Sequence, residues 1–200
     1  MMNEHVIVNE VDENLDELIK LLQDVIRIDT SNPPGNEIRL ANFLFDVFSR
    51  EGIPCEVVES TEGRGNVIAR LNGESGKVRL LYLSHLDVVP AVNASSWAHN
   101  PFSGHFDGKW IYGRGAIDCK GLVVAGAFAM ILLKRLNINP KCTIIYASTA
   151  DEEVGGEHGL GWIVKNMPEK VKANYVINEG GGVQFKLGGR SVVYPVDVGE

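Results

Sequence analysis

The chain has 200 residues, which is about one large domain at the usual size of roughly 100–200 residues each. Hydrophobic residues make up 44% and charged residues 22%, so the composition supports a buried core and excludes a disordered or fibrous chain. Against 26 Asp and Glu stand 19 Lys and Arg, a net charge of −7 with no basic run, which argues against nucleic acid as a partner.

The acidic start has no sustained apolar stretch and does not read as a secretory signal. Leu15, Leu18, Ile19, Leu22, Val25 and Ile26 recur at helical spacing and predict an amphipathic helix. Residues 30–36 (TSNPPGN) break it, because the paired prolines lack donors and the glycine permits positive φ. A second helix is expected with Leu40, Ala41, Leu44, Phe45 and Phe48 on one face, stopped by Gly52 and Pro54. Strands are expected over 55–59, 66–71 and 78–84, with Asn72-Gly73 and Ser75-Gly76 marking a hairpin between the last two. The run VRLLYLS is apolar at nearly every position, as in a strand covered on both faces.

Residues 88–109 read as an irregular surface loop. A mostly apolar helix follows over 120–136; its apolar run, 121–133, is short of the ~20 residues of a membrane span, so no membrane partner is expected. CTIIYAS (142–148) predicts a buried strand, 160–166 a short helix and 174–178 a strand. SVVYPVDV (191–198) predicts one more strand, which Pro195 places at an edge. Helices interleaved with strands predict an α/β fold, a three-layer sandwich around a mixed, largely parallel sheet, with no domain boundary inside 1–200. Three widely spaced cysteines (Cys55, Cys119 and Cys142) form no disulfide framework, and a cytoplasmic location fits them.

In open α/β sheets, ligands bind beyond the carboxyl ends of the strands. Strand 78–84 runs into His85-Leu86-Asp87, strand 142–148 into Asp151-Glu152-Glu153, and strand 174–178 into Glu179 and three glycines. Asp118 sits in the glycine-rich loop GRGAIDCKG that opens the apolar helix. If the strands are parallel there, these clusters converge on one edge. Crowded carboxylates repel one another, and a bound cation relieves them. A mixed imidazole and carboxylate set suits zinc or another first-row ion better than calcium. Asp87 could orient His85. Of Glu152 and Glu153, one could ligate while its neighbour takes a proton from water.

Each residue also has a plainer reading. His85 could be a core histidine, Asp118 a helix N-cap, the acids at 151–153 a solvated turn, and Glu179 part of an ordinary turn. His99, His105 and His158 read as surface residues, and Cys119 as a small buried apolar group rather than a ligand or nucleophile. GRG (113–115) and GGEHG (155–159) lack a nucleotide-binding spacing.

SHLDVVP (84–90), WAHNPFSGHFDGKWIYGRGAIDCKG (97–121), DEEVGGEHG (151–159), INEGG (177–181) and the turn SNPPGNE (31–37) together resemble the M20 family of metallopeptidases and amidohydrolases. The resemblance implies a zinc-peptidase-like catalytic domain with two ions, zinc or else cobalt or manganese, about 3.5–4 Å apart. His85 and Glu179 would bind one ion, Glu153 the other, and Asp118 both. Asp87 would orient His85, and Glu152 would activate the water bridging the ions for attack on an amide of a small N-acyl amino acid or short peptide. Family members are longer, with an inserted domain that serves as lid and dimerisation surface and a last histidine ligand; no histidine follows His158 here. The expectation is therefore a catalytic domain incomplete at its C-terminus, in a protein able to form a homo-oligomer. Two alternatives stay open: an inactive metal-binding or oligomerisation module of the same fold, and another co-catalytic zinc hydrolase of leucine-aminopeptidase type.

Overall fold

The computed structural model describes residues 4–179 and the segments 185–187 and 190–193. Three helices come first: α1 (Glu4–Glu13), α2 (Leu15–Arg27) and α3 (Ile38–Arg50). Strands β1 (Cys55–Glu59), β2 (Gly65–Leu71) and β3 (Ser75–His85) follow, then the two-residue strands β4 (His105–Phe106) and β5 (Ile111–Tyr112). Helix α4 (Lys120–Arg135), strand β6 (Cys142–Thr149), helix α5 (Leu160–Asn166) and strand β7 (Tyr175–Ile177) complete the main body. A separate ribbon pairs β8 (Phe185–Leu187) with β9 (Arg190–Val193). Positions 194–198, with Pro195, lie outside the described residues.

The five-stranded sheet runs β1-β2-β6-β3-β7. Strands β1 and β2 pair antiparallel, β2 and β6 antiparallel, and β6, β3 and β7 run parallel. Period-2 alternation divides the core. Val67 and Ala69 of β2 and Tyr146 of β6 face α3 and α4, where they join Leu40, Leu44, Phe48, Val123, Ala127 and Ile131. Ile68, Leu81, Leu83, Ile145 and Ala147 face the other way, onto Ile163 of α5 and Val171. Helices thus cover both faces of a mixed sheet. Helix α4 is buried along most of its length, as its nearly continuous apolar sequence requires.

Two expectations need correction. The hairpin is β1–β2, not 66–84: β6 lies between β2 and β3. The 72–76 segment crosses the start of β6 instead, with Glu74 N–H bonded to Pro140 O and Ser75 N–H to Lys141 O. A Cβ on Gly73 would collide with the Cys142 backbone, so this glycine serves a close crossing rather than a hairpin turn. On α3, Val47 is buried and Phe45 is exposed, because the apolar stripe rotates toward the C-terminus. Helix α1 was not anticipated. Its Val6, Ile7 and Val8 are exposed and only Val11 reaches the core, so it carries little helical periodicity to detect.

Candidate metal centre

Because β3, β6 and β7 are parallel, their carboxyl ends bring His85, Asp151-Glu152-Glu153 and Glu179 to one edge. The His85 side chain is buried, and Nδ1 lies 3.0 Å from the carbonyl oxygen of Asp87. A carbonyl only accepts, so Nδ1 carries the proton, and in the neutral ring Nε2 presents its lone pair. Around Nε2 stand Asp118 Oδ1 at 2.9 Å, Glu179 Oε1 at 3.1 Å and Glu152 Oε2 at 3.7 Å. Three carboxylates facing a lone pair call for positive charge, either a proton on the ring or a cation. Burial disfavours a charged ring, but hydrogen bonding to Asp87 and Cys119 and the Glu179 charge outweigh it and push the His85 pKa up.

Ligand atoms of His85, Asp118, Cys119 and Glu179 all lie within 4.8 Å of one another. The Cys119 sulfur is otherwise engaged. It accepts from His85 N–H and donates to His85 O, both at 3.2 Å, and burial raises its thiol pKa. That keeps it a neutral thiol under the site. The remaining donors, one imidazole and carboxylates, match a first-row divalent ion, and the surplus of negative charge leaves it a role to fill. Asp118 is exposed and its carboxylate turns to His85 rather than capping α4, where Cys119 occupies the N-cap position without a side-chain bond. Lys120 anchors this loop: its buried Nζ donates to Ile28 O at 2.6 Å, and burial pushes its pKa down to about 7.

Glu153 is not in the four-residue cluster. One of its oxygens accepts from Val89 N–H at 3.3 Å, while the carboxyl senses the Asp118 charge. Burial, then the neighbouring acids, raises the pKa of both Glu152 and Glu153. Asp87 is fully buried and works on several partners at once. Oδ1 accepts from Glu152 N–H and Oδ2 from Glu153 N–H, each at 3.0 Å. Desolvation opposes its charge, yet bonds from His85, Asn32 and the Glu153 amide hold its pKa down. Asp151 adopts a left-handed conformation (φ 71°) that Asp tolerates better than most residues, and its buried carboxylate accepts from His158 N–H. It is a structural acid of the turn rather than a solvated one.

Sequence reasoning missed Asn32, Glu37 and Arg64, which lie behind Asp87. Residues 31–37 carry a turn and a family-like segment but no sign of a buried polar network, and nothing in GRGN (63–66) announces a buried cation. A cavity of about 500 Å³ opens beside the site, lined by His85, Glu152 and Glu179 and by Leu83, Thr149 and Leu160. Among the described residues, no helix is long and apolar enough to cross a membrane.

Residues 81–192 match the family described as Peptidase family M20/M25/M40. Over 137 residues the chain is 38% identical to a probable succinyl-diaminopimelate desuccinylase of Staphylococcus aureus, covering 68% of this chain and 33% of that protein. It is 42% identical over 124 residues to a succinyl-diaminopimelate desuccinylase of Paracoccus denitrificans, covering 60% and 32%. An M20 family metallo-carboxypeptidase from Sulfolobus solfataricus superposes with a TM-score of 0.72 at 30% identity, over 84% of this chain and 38% of that one. The chain spans about a third of the length of these curated relatives.

Proposed function

Since the chain belongs to peptidase family M20/M25/M40, we propose that residues 1–200 form part of the catalytic domain of a metal-dependent hydrolase that cleaves an amide bond in a small N-acyl amino acid or short peptide. The observation that carries this reading is the placement of His85 Nε2 among the carboxylates of Asp118, Glu179 and Glu152. In this reading His85 and Glu179 would hold one ion and Glu153 a second, with Asp118 shared between them. Zinc suits the donor set, with cobalt or manganese as substitutes. Such ions, when bound, polarise an amide carbonyl and acidify water.

The protein's own groups do the rest. Asp87 keeps the proton on Nδ1, so Nε2 stays a donor of its lone pair. The Asp87 carboxylate, for its part, holds the Glu152 amide, which fixes the base of that side chain. Glu152 stands at the cavity wall, where its carboxylate can take a proton from the attacking water and return it to the leaving amine. Its raised pKa suits an acid that must give the proton back. The cavity beside it takes the substrate's acyl or side-chain portion. The desuccinylase relatives favour a substrate with an N-succinyl group, and the carboxypeptidase neighbour favours a peptide with a free C-terminus. A cytoplasmic location accompanies this reading, supported by three free cysteines.

Titration calorimetry of the 200-residue chain with Zn2+ tests the site. His85→Ala or Asp118→Asn should weaken binding by more than the roughly 10–100-fold that loss of an outer partner costs. Hydrolysis of N-succinyl, N-acetyl and dipeptide substrates by the protein carrying this segment tests the chemistry. Glu152→Gln should lower kcat by about 10²–10⁴-fold with metal content unchanged. A wild-type chain that binds no divalent ion, or a Glu152→Gln protein with full activity, would overturn the assignment.

A further inference from the structure

The buried charges behind Asp87 form a continuous relay that ends on three residues of the proposed site. Arg64 Nη1 donates to Glu37 Oε1 at 2.7 Å and reaches Asp151 Oδ1 at 3.3 Å. Its Nη2 donates to Asn32 Oδ1 at 3.0 Å. A guanidinium cannot accept a hydrogen bond, so the Asn32 oxygen must face Arg64 and its amide NH2 must face the other way. There Asn32 Nδ2 donates to Asp87 Oδ2 at 2.8 Å and to Asp151 Oδ1 at 3.3 Å. Arg64 thereby decides which way the Asn32 amide points, and Asn32 decides where the Asp87 carboxylate sits.

Asp87 passes that placement on, because its carboxylate accepts from Glu152 N–H and Glu153 N–H and its Oδ1 lies 3.4 Å from His85 Nδ1. Arg64 also grips Asp151, the residue just before these two acids. The relay is shielded: the Glu37 and Asp87 side chains are 0% exposed and that of Arg64 only 13%. Gly35 leaves room for it, since a Cβ there would collide with the guanidinium. Asn32, Glu37, Arg64, Asp87 and Asp151 do not line the cavity.

We propose that Arg64 is a positioning residue of the active site, acting through Asn32 on Asp87 and thereby setting the His85 ring and the Glu152 and Glu153 backbone. The proposal rests on the hydrolase reading for its purpose, but its first test does not. In the metal-free 200-residue chain, amide hydrogen exchange reports the Glu152 and Glu153 N–H groups that Asp87 holds. Arg64→Gln and Asn32→Ala should each speed exchange at these two amides by 10-fold or more while β6 amides change by less than threefold. The double variant should be no worse than the worse single one, because both act through one chain of contacts. Arg64→Lys keeps a charge and lacks the two-armed fork, so it should show the same local loss in a chain better able to fold.

The second test is Co2+ binding, followed by its visible absorption. The variants should bind about 10–100-fold more weakly with an altered spectrum. In the whole protein, kcat should fall with KM nearly constant. Wild-type exchange at Glu152 and Glu153 in Arg64→Lys would overturn the proposal. So would additive losses, or equal acceleration across β6, which would mark a purely structural ion pair. If the wild-type chain binds no Co2+, the hydrolase reading fails while the exchange result still judges the relay.

Discussion

Glu37 shows what a buried charge costs at the scale of one residue. Its side chain is fully buried, one oxygen has no hydrogen-bond partner among the described residues, and desolvation raises its pKa despite Arg64. The native state therefore holds a proton that the unfolded chain releases near the ordinary value of 4.5. Stability falls as pH rises through that window, because the folded form binds more protons there. Glu37→Gln removes the group that titrates. Urea denaturation from pH 4.5 to 7 should show the variant gaining on wild type as pH rises; a constant gap would mean that Arg64 cancels the desolvation. Position made His85, Asp87, Asp118, Glu152, Glu153 and Glu179 visible in the sequence as candidates, because five of them stand just beyond expected strands and Asp118 lies in the glycine-rich loop before the apolar helix. Geometry then separated them. His85, Asp118 and Glu179 share one cluster, and Glu153 stands beside it.

Between elements, α4 fits closely against β3. Gly126 is buried, and a Cβ there would collide with the Tyr82 ring, whose hydroxyl donates to Leu122 O at 2.9 Å. Gly126→Ala gains up to about 1 kcal/mol of helix propensity but overpacks the interface, which typically costs 1–3 kcal/mol. The net effect should be a loss of about 1 kcal/mol in urea denaturation; a stabilised variant would mean that Tyr82 moves aside freely. The apolar run of α4 predicted a buried helix, but not that a glycine on it seats an aromatic ring. Periodicity likewise placed α2, α3, β1, β3, β6 and α5 with small errors in their ends, since each carries its own local pattern. Helix α1 and the short strands β4 and β5 carry almost none.

In the whole molecule, burial is uneven across the sheet. Strand β6 lies between β2 and β3 with apolar layers on both faces, whereas Tyr175, Val176 and Ile177 of β7 are all more than half exposed. Local opening should follow that gradient. Native-state hydrogen exchange should be slowest for Ile145 through Ala147 and fastest among the sheet strands for β7, and equal protection at both would show that something else covers β7. The same sheet aligns the strand ends. Its three parallel strands converge their carboxyl termini, and this convergence brings His85, Glu152 and Glu179 together from separate segments.

By itself, the sequence determined the α/β class, most helices and strands and the family to which the chain belongs, and it offered the candidate ligands. These are properties of neighbouring residues, or of motifs kept in order along the chain. Only the tertiary structure decided that β6 enters between β2 and β3, and that Arg64, Asn32 and Glu37 stand behind Asp87. Asn32 meets Asp151 across 119 positions of chain. Strand order and buried polar contacts depend on how distant surfaces pack and desolvate one another, and no local pattern encodes that.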